Sequence, residues 1–201
     1  MPRNELNPAG LPGEDDKDVR SMLLVRAGDA VAFEELVERH QRLVTGTVAR
    51  MLGNNSEVED IAQQVFVRVW KSAKRYVPRA KFTTWLLKIT RNLVFNELRR
   101  RSRHSQLPLH VEPEEEERPI RDERATPPDG LLLEQELQRA IETAIAQLPE
   151  TQRMAVTLRR YHELSYEEIA DVLGQSVPAV KSLLFRARSE LRIRLSRYLA
   201  N

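Results

Sequence analysis

Two groups of side chains have the types and spacing to work on a polyanion. The first is Lys88, Asn92, Asn96, Arg99 and Arg103, separated by four, four, three and four residues, so that a helix would carry all five on one face. Amides can pair with base edges, and guanidiniums suit phosphates. Just upstream, Lys74, Arg75, Tyr76, Arg79 and Lys81 surround a loop containing Pro78. The second group is Lys181, Ser182, Phe185 and Arg186, which lie off an apolar stripe formed by Val180, Leu183, Leu184, Ala187 and Leu191. Nucleic acid is the partner both groups fit, because such one-signed faces exceed what solubility requires.

The distribution of charge supports this. The overall net charge of +2 averages strongly opposed blocks: −5 over residues 1–60, +11 over 68–103, −7 over 112–136, −2 over 137–176 and +5 over 177–201. Two cationic blocks flank an anionic one, the asymmetry expected of a nucleic-acid binder. Enzymatic chemistry finds no footing in the sequence. Cysteine is absent, and His40, His104, His110 and His162 are scattered without metal-ligand spacing. No Gly-rich phosphate loop or G-x-S-x-G elbow occurs, and no cofactor is expected. No signal peptide or run of about 18 apolar residues is seen, so a soluble, cytoplasmic protein is expected.

These side chains need helices to carry them. Ser165 and Glu168 have the spacing of a capping box, with Leu164 and Ile169 as its hydrophobic staple. Gly174 is placed to end that helix in the left-handed region. Ser176 then caps the next helix, with Pro178 in its first turn. Helix, short Gly-containing turn and helix make a helix-turn-helix. Upstream, apolar residues recur at three- and four-residue spacing from Arg20, through a helix ending at Gly53, and through a third opened by Ser56 and Glu59 as a second capping box. A fourth helix over 82–103 turns Phe82, Leu86, Ile89, Leu93 and Leu98 inward, with Phe66 and Trp85 also in or beside the core. Strand signals are absent. The expected architecture is all-α: a tail over 1–19, a helical bundle over 20–103, a flexible acidic and proline-rich linker over 104–130, and a second domain of four or five helices over 131–201.

Taken together, the motifs resemble the extracytoplasmic-function (ECF, group 4) sigma factors of bacterial RNA polymerase, in the sigma-70 family. Residues 59–70, EDIAQQVFVRVW, look like region 2.2. Residues 82–86, FTTWL, followed by ITRNL at 89–93 and LRR at 98–100, look like regions 2.3 and 2.4. Region 4 is matched by LPE at 148–150 with Arg153, by LSYEEIA at 164–170, by VKS at 180–182 and by RAR at 186–188. Asn96 stands where the family often has Asp, and Pro178 replaces a more usual small residue.

The resemblance implies a mechanism. Asp60, Gln63 and Gln64 would dock on the β′ clamp helices of core RNA polymerase, and region 4 on the β flap. The loop holding Lys74, Arg75, Tyr76, Arg79 and Lys81, with Lys88, Asn92, Asn96 and Arg99, would read the −10 element as the strands separate. Lys181, Ser182, Phe185 and Arg186 would enter the major groove of the −35 element, while Arg153, Tyr166 and Arg188 would hold phosphates. Glu114 to Glu117 in the linker would lie in the channel later occupied by RNA. An anti-sigma factor is a further possible partner. The rival readings are a stand-alone helix-turn-helix regulator on palindromic DNA, which leaves the +11 block idle, and an enzyme acting on nucleic acid, which lacks a candidate site.

Overall fold

The structure is a computed structural model that describes residues 14–53, 56–105 and 129–199. Every regular element among them is helical: α1 (Glu14–Ala27), α2 (Ala30–Leu52), α3 (Glu57–Ser72), a 3-10 turn (Ala73–Arg75), α4 (Phe82–Ser105), α5 (Asp129–Ala146), α6 (Glu150–Tyr161), α7 (Tyr166–Leu173), α8 (Val177–Arg194) and α9 (Ser196–Leu199). The acidic linker expected over 104–130 falls mostly outside the described residues, as do Glu114 to Glu117 and most of the expected tail.

In the first bundle, the α1–α2 corner is made by Asp29, whose carboxylate accepts from the backbone N–H groups of Val31 and Ala32 at 2.9 and 3.0 Å. Leu36, His40, Val44, Thr47, Val48 and Met51 then line one face of α2. Val58, Ile61, Val65 and Val69 do the same for α3. Fully burying side chains such as Leu36, Met51, Leu86 and Leu87 stabilises by about 1.5–3 kcal/mol each, which is what holds the bundle.

Three local expectations are corrected. Helix α1 begins at Glu14, inside the stretch read as a loose tail, and Asp18 is buried. Its carboxylate binds His40 Nε2 at 2.7 Å and the Arg39 guanidinium, which also donates to Ser21 Oγ at 2.8 Å. An acid that looked solvated in sequence is therefore the peg fixing α1 to α2. The Ser56–Glu59 capping box does not form, because Ser56 already has helical dihedrals (φ −59°, ψ −25°), whereas a cap needs an extended residue. Glu57 instead pairs with Arg100, at 2.7 Å, and with Arg101 of α4. Finally, the inward stripe of α4 is rotated. Leu87, Thr84, Thr90, Val94 and Glu97 are buried with Phe82 and Leu86, while Ile89, Leu93 and Leu98 are only partly covered.

In the second bundle the helix-turn-helix forms as its sequence requires. Ser165 Oγ accepts from Glu168 N–H at 3.1 Å, and the Glu168 carboxylate accepts from Ser165 N–H at 2.8 Å. Gly174 takes φ +64°, ψ 40°, and Ser176 accepts from Ala179 N–H at the start of α8. Met154, Ala155 and Leu158 of α6, Ile169 and Leu173 of α7 and Val180 of α8 make its core. The two bundles are not separate. Their buried apolar residues form one continuous cluster from α1 to α8, and α7 packs on α4 while α6 packs on α2.

Candidate nucleic-acid interface

Helix α4 displays Asn92, Asn96, Arg99 and Arg103 to solvent along one side, as their spacing predicts. Arg99 donates to Asn96 Oδ1 at 2.6 Å and to the Phe95 carbonyl at 3.1 Å, so the guanidinium is held beside the amide. This face adjoins a depression lined by Arg68, Ser72, Trp85, Ile89, Leu93, Asn92 and Asn96, an apolar floor with a polar rim. At its foot, Lys74, Arg75 and Arg79 are exposed around the loop after the 3-10 turn.

Tyr76 does not join them. It is 2 % exposed, its ring edge-on to Trp85 at 4.9 Å and to Phe82 at 6.4 Å, and its carbonyl accepts from Arg26 at 3.4 Å. The assignment of Tyr76 to a DNA surface is therefore corrected. Its ring joins an aromatic cluster that pins the loop to α4, and amphipathic tyrosines serve this way whenever the apolar body has a pocket.

The other face lies on α8. Lys181, Phe185, Arg186 and Arg188 are exposed and Ser182 is partly so, while Val180 and Ala187 turn inward. Arg186 donates to Ser182 Oγ at 3.1 Å. Phe185 is 69 % exposed, a ring left in water on the outer side of the recognition helix. Tyr166, at the start of α7, is partly covered with Arg159 above its ring at 5.4 Å.

Arg153 is corrected too. Its guanidinium is turned inward, donating to the Met51 carbonyl of α2 at 2.8 Å and to the Leu148 carbonyl at 3.4 Å. Burial pushes its pKa below the usual guanidinium value, with Glu150 opposing. It closes α2 against α6 rather than waiting for a phosphate. On α3, Asp60, Gln63 and Gln64 are all exposed on one face, beyond which lie the exposed Val67 and Trp70. The Trp70 ring meets that of Phe33 at a tilt, with centroids 5.0 Å apart.

Several contacts that the sequence did not reveal prove central, some of them made by residues already singled out. Lys81 Nζ lies 3.2 Å from Glu168 Oε1, and Lys88 Nζ lies 2.6 Å from Asp171 Oδ1. Arg91 donates to the Leu173 carbonyl at 2.7 Å and to Asn92 Oδ1 at 2.7 Å. Burial pushes the Glu168 carboxyl up, but the Ser165 N–H and Lys81 together bring it below the usual carboxylate value. His162 Nε2 is 2.8 Å from Thr47 Oγ1, and the Arg50 guanidinium lies 3.9 Å above the Tyr161 ring. Only the pairing of acid and base along α7 and α4 hinted at these contacts, since the partners are far apart in the chain.

A helix-turn-helix with a cationic second helix, joined to a helical bundle with its own cationic face, defines a two-part DNA-binding transcription protein. Comparison with known proteins sharpens this. The Sigma-70 region 2 family matches residues 36–104, and the Sigma-70, region 4 family matches 138–191. The RNA polymerase sigma-H factor of Pseudomonas aeruginosa is 32% identical over 180 residues, spanning 88% of this chain and 92% of that protein. The ECF RNA polymerase sigma-E factor of Escherichia coli K12 is 35% identical over 170 residues, 83% of this chain and 88% of that one. The solved structure of CnrH in complex with the cytosolic domain of CnrY matches with a TM-score of 0.64 at 26% identity, covering 90% of this chain and 99% of CnrH.

The chain belongs to the ECF sigma factors of the sigma-70 family. It is an RNA polymerase sigma factor directing transcription initiation, a non-enzymatic role exercised on core polymerase and promoter DNA. No helix among the described residues is long and apolar enough to cross a membrane.

Proposed function

We propose that this sigma factor reads promoters with two separate surfaces and docks on polymerase with a third. Asn92, Asn96 and Arg99, with Lys74, Arg75, Arg79, Lys81 and Lys88, engage the −10 element as it opens. Lys181, Ser182, Phe185 and Arg186 enter the −35 major groove, with Arg188 and Tyr166 on flanking phosphates. Asp60, Gln63 and Gln64 meet the polymerase clamp. The first domain runs from α1 to α4 and the second from α5 onwards, with the acidic linker between them, and the protein works in the cytoplasm. The observation that carries this reading is the row of exposed amide and guanidinium groups on α4, matched on α8 by exposed Lys181, Phe185 and Arg186. An anti-sigma factor is proposed as a further partner, because CnrH, of the same fold, is held by the cytosolic domain of CnrY.

Division of labour on α8 gives the test. In run-off transcription by the reconstituted holoenzyme on a promoter library, Arg186→Ala loses discrimination at one −35 base pair by about 1–3 kcal/mol. Arg188→Ala weakens all sequences alike and lowers the salt slope by about one unit. Identical specificity profiles for the two variants would refute the assignment. Asp60→Ala with Gln63→Ala weakens capture of core polymerase while the helical circular dichroism and melting curve stay unchanged; unfolding would show these residues to be structural.

A further inference from the structure

We infer that Arg99 and Arg91 are positioning residues: they turn the amides of Asn96 and Asn92 so that α4 offers N–H donors to the −10 element, which selects for a keto group on the base it meets. A guanidinium has five N–H donors and no acceptor, so the end of an amide that it holds must be the carbonyl oxygen. Arg99 Nη2 donates to Asn96 Oδ1 at 2.6 Å, and Arg91 Nη1 donates to Asn92 Oδ1 at 2.7 Å. Each amide is left with its Nδ2 amino group as the outward end. An unheld asparagine has no such sense, because its χ2 torsion is broad and roughly two-fold, and half a turn exchanges donor for acceptor.

The arginines are themselves anchored. Arg99 Nε donates to the Phe95 carbonyl at 3.1 Å, one turn back on α4, and Arg91 Nη2 donates to the Leu173 carbonyl at 2.7 Å. Neither guanidinium can swing away from its amide without breaking a second bond. The anchor of Arg99 lies within α4 itself, so the setting of Asn96 travels with that helix. Asn92 and Asn96 both line the depression floored by Trp85, Ile89 and Leu93, whose apolar side chains offer a base edge no polar partner. Ser72, on the α3 side, directs its proton to the Arg68 carbonyl and is left as an acceptor, so the two senses lie on different helices. The O4 of thymine or O6 of guanine accepts from an outward Nδ2. The amino group of cytosine or adenine in the same place sets N–H against N–H. Two donors then lose their water without gaining an acceptor, which costs more than the absent bond alone.

The inference rests on the proposed reading of Asn96 as a −10 contact, and the test separates the two. Reconstituted holoenzymes of wild type and variants transcribe a promoter library in which each −10 position carries all four bases in turn. At one position wild type prefers thymine or guanine to cytosine or adenine by roughly 2- to 10-fold, the effect of one net hydrogen bond. Asn96→Asp keeps an oxygen for Arg99 and puts an acceptor where the outward N–H was, so the preference at that position inverts to cytosine or adenine. Arg99→Ala releases the amide to turn either way, and the keto preference there falls to less than about twofold while other positions keep theirs. Arg99→Lys, which still donates to Asn96 Oδ1, restores it. Both sites are exposed on α4, and helical circular dichroism checks that all variants are folded. An Arg99→Ala holoenzyme that is weaker on every sequence alike with its keto preference intact, or an Asn96→Asp holoenzyme that keeps the wild-type preference, would overturn the inference. An Asn96→Ala holoenzyme with the wild-type profile at every position would overturn the functional reading of Asn96 on which the inference stands.

Discussion

Mild acid should loosen the seam between the two domains through one residue. His162, in the turn after α6, lies against α2 with Nε2 2.8 Å from Thr47 Oγ1. The Thr47 hydroxyl proton is directed to the Leu43 carbonyl at 2.7 Å, so its oxygen accepts and the imidazole donates as a neutral ring. Burial, reinforced by the Arg50 guanidinium, pushes the His162 pKa from 6.5 down to about 4. A separated or unfolded chain restores a value near 6.5, so at low pH it takes up the proton that the packed form refuses. The stabilisation is fully present above about pH 6.5 and is lost progressively as pH falls towards 4. Going from pH 7 to pH 5, those two values give about 2 kcal/mol. The ring is only partly buried, so solvent screening reduces the expected loss to about 1 kcal/mol. Urea unfolding of wild type and His162→Gln at both pH values measures it, because Gln keeps a donor for Thr47 but cannot titrate. Glu97 and Glu168, both held below the usual carboxylate value, titrate in both proteins and cancel in the difference. Equal losses on acidification in the two proteins would refute the reasoning.

Other perturbations test the local physics. Ser165→Ala removes a formed capping box and should lower stability by about 1 kcal/mol, whereas Ser56→Ala, which removes no cap bond, should change it by less than about 0.3 kcal/mol, both by urea titration. Gly174→Ala forces a side chain into the left-handed region at φ +64° and should cost about 1–2 kcal/mol, seen as a melting temperature lower by several degrees. Asp18→Ala strands His40 and Arg39 and should cost about 2–3 kcal/mol; a neutral effect would show that α1 is held by its apolar residues alone.

Elements whose causes are local were legible in the sequence. The Ser165–Glu168 box, the Gly174 stop and the Ser176 cap all depend on residues within four positions of one another, and each formed. The exposed faces of α4 and α8 also followed from helical spacing, since a 3.6-residue period assigns faces without tertiary information. Errors arose where a distant partner decided. Ser56 does not cap α3 because its own backbone is already helical, while its neighbour Glu57 pairs across the bundle with Arg100 and Arg101. Tyr76 resembled a DNA-facing aromatic among cations until Trp85 and Phe82 supplied a pocket. Arg153 resembled a phosphate ligand until the Met51 carbonyl, 102 residues away, claimed its guanidinium. For a lysine or arginine, sequence gives the charge and the reach, but the partner is whichever acceptor the fold brings near.

That ambiguity bears on what holds the two bundles together. A cation placed to bind phosphate will bind a carboxylate of the same protein if the geometry allows, with similar geometry and comparable strength in partly solvated surroundings. Lys81 and Lys88 show this with Glu168 and Asp171. Glu168 cannot leave that role freely, because its carboxylate also closes the capping box of α7, so the fold of the DNA-reading motif and the covering of the other domain share one side chain. Removing Glu168 therefore perturbs both at once, while Asp171, outside the box, reports on the covering alone.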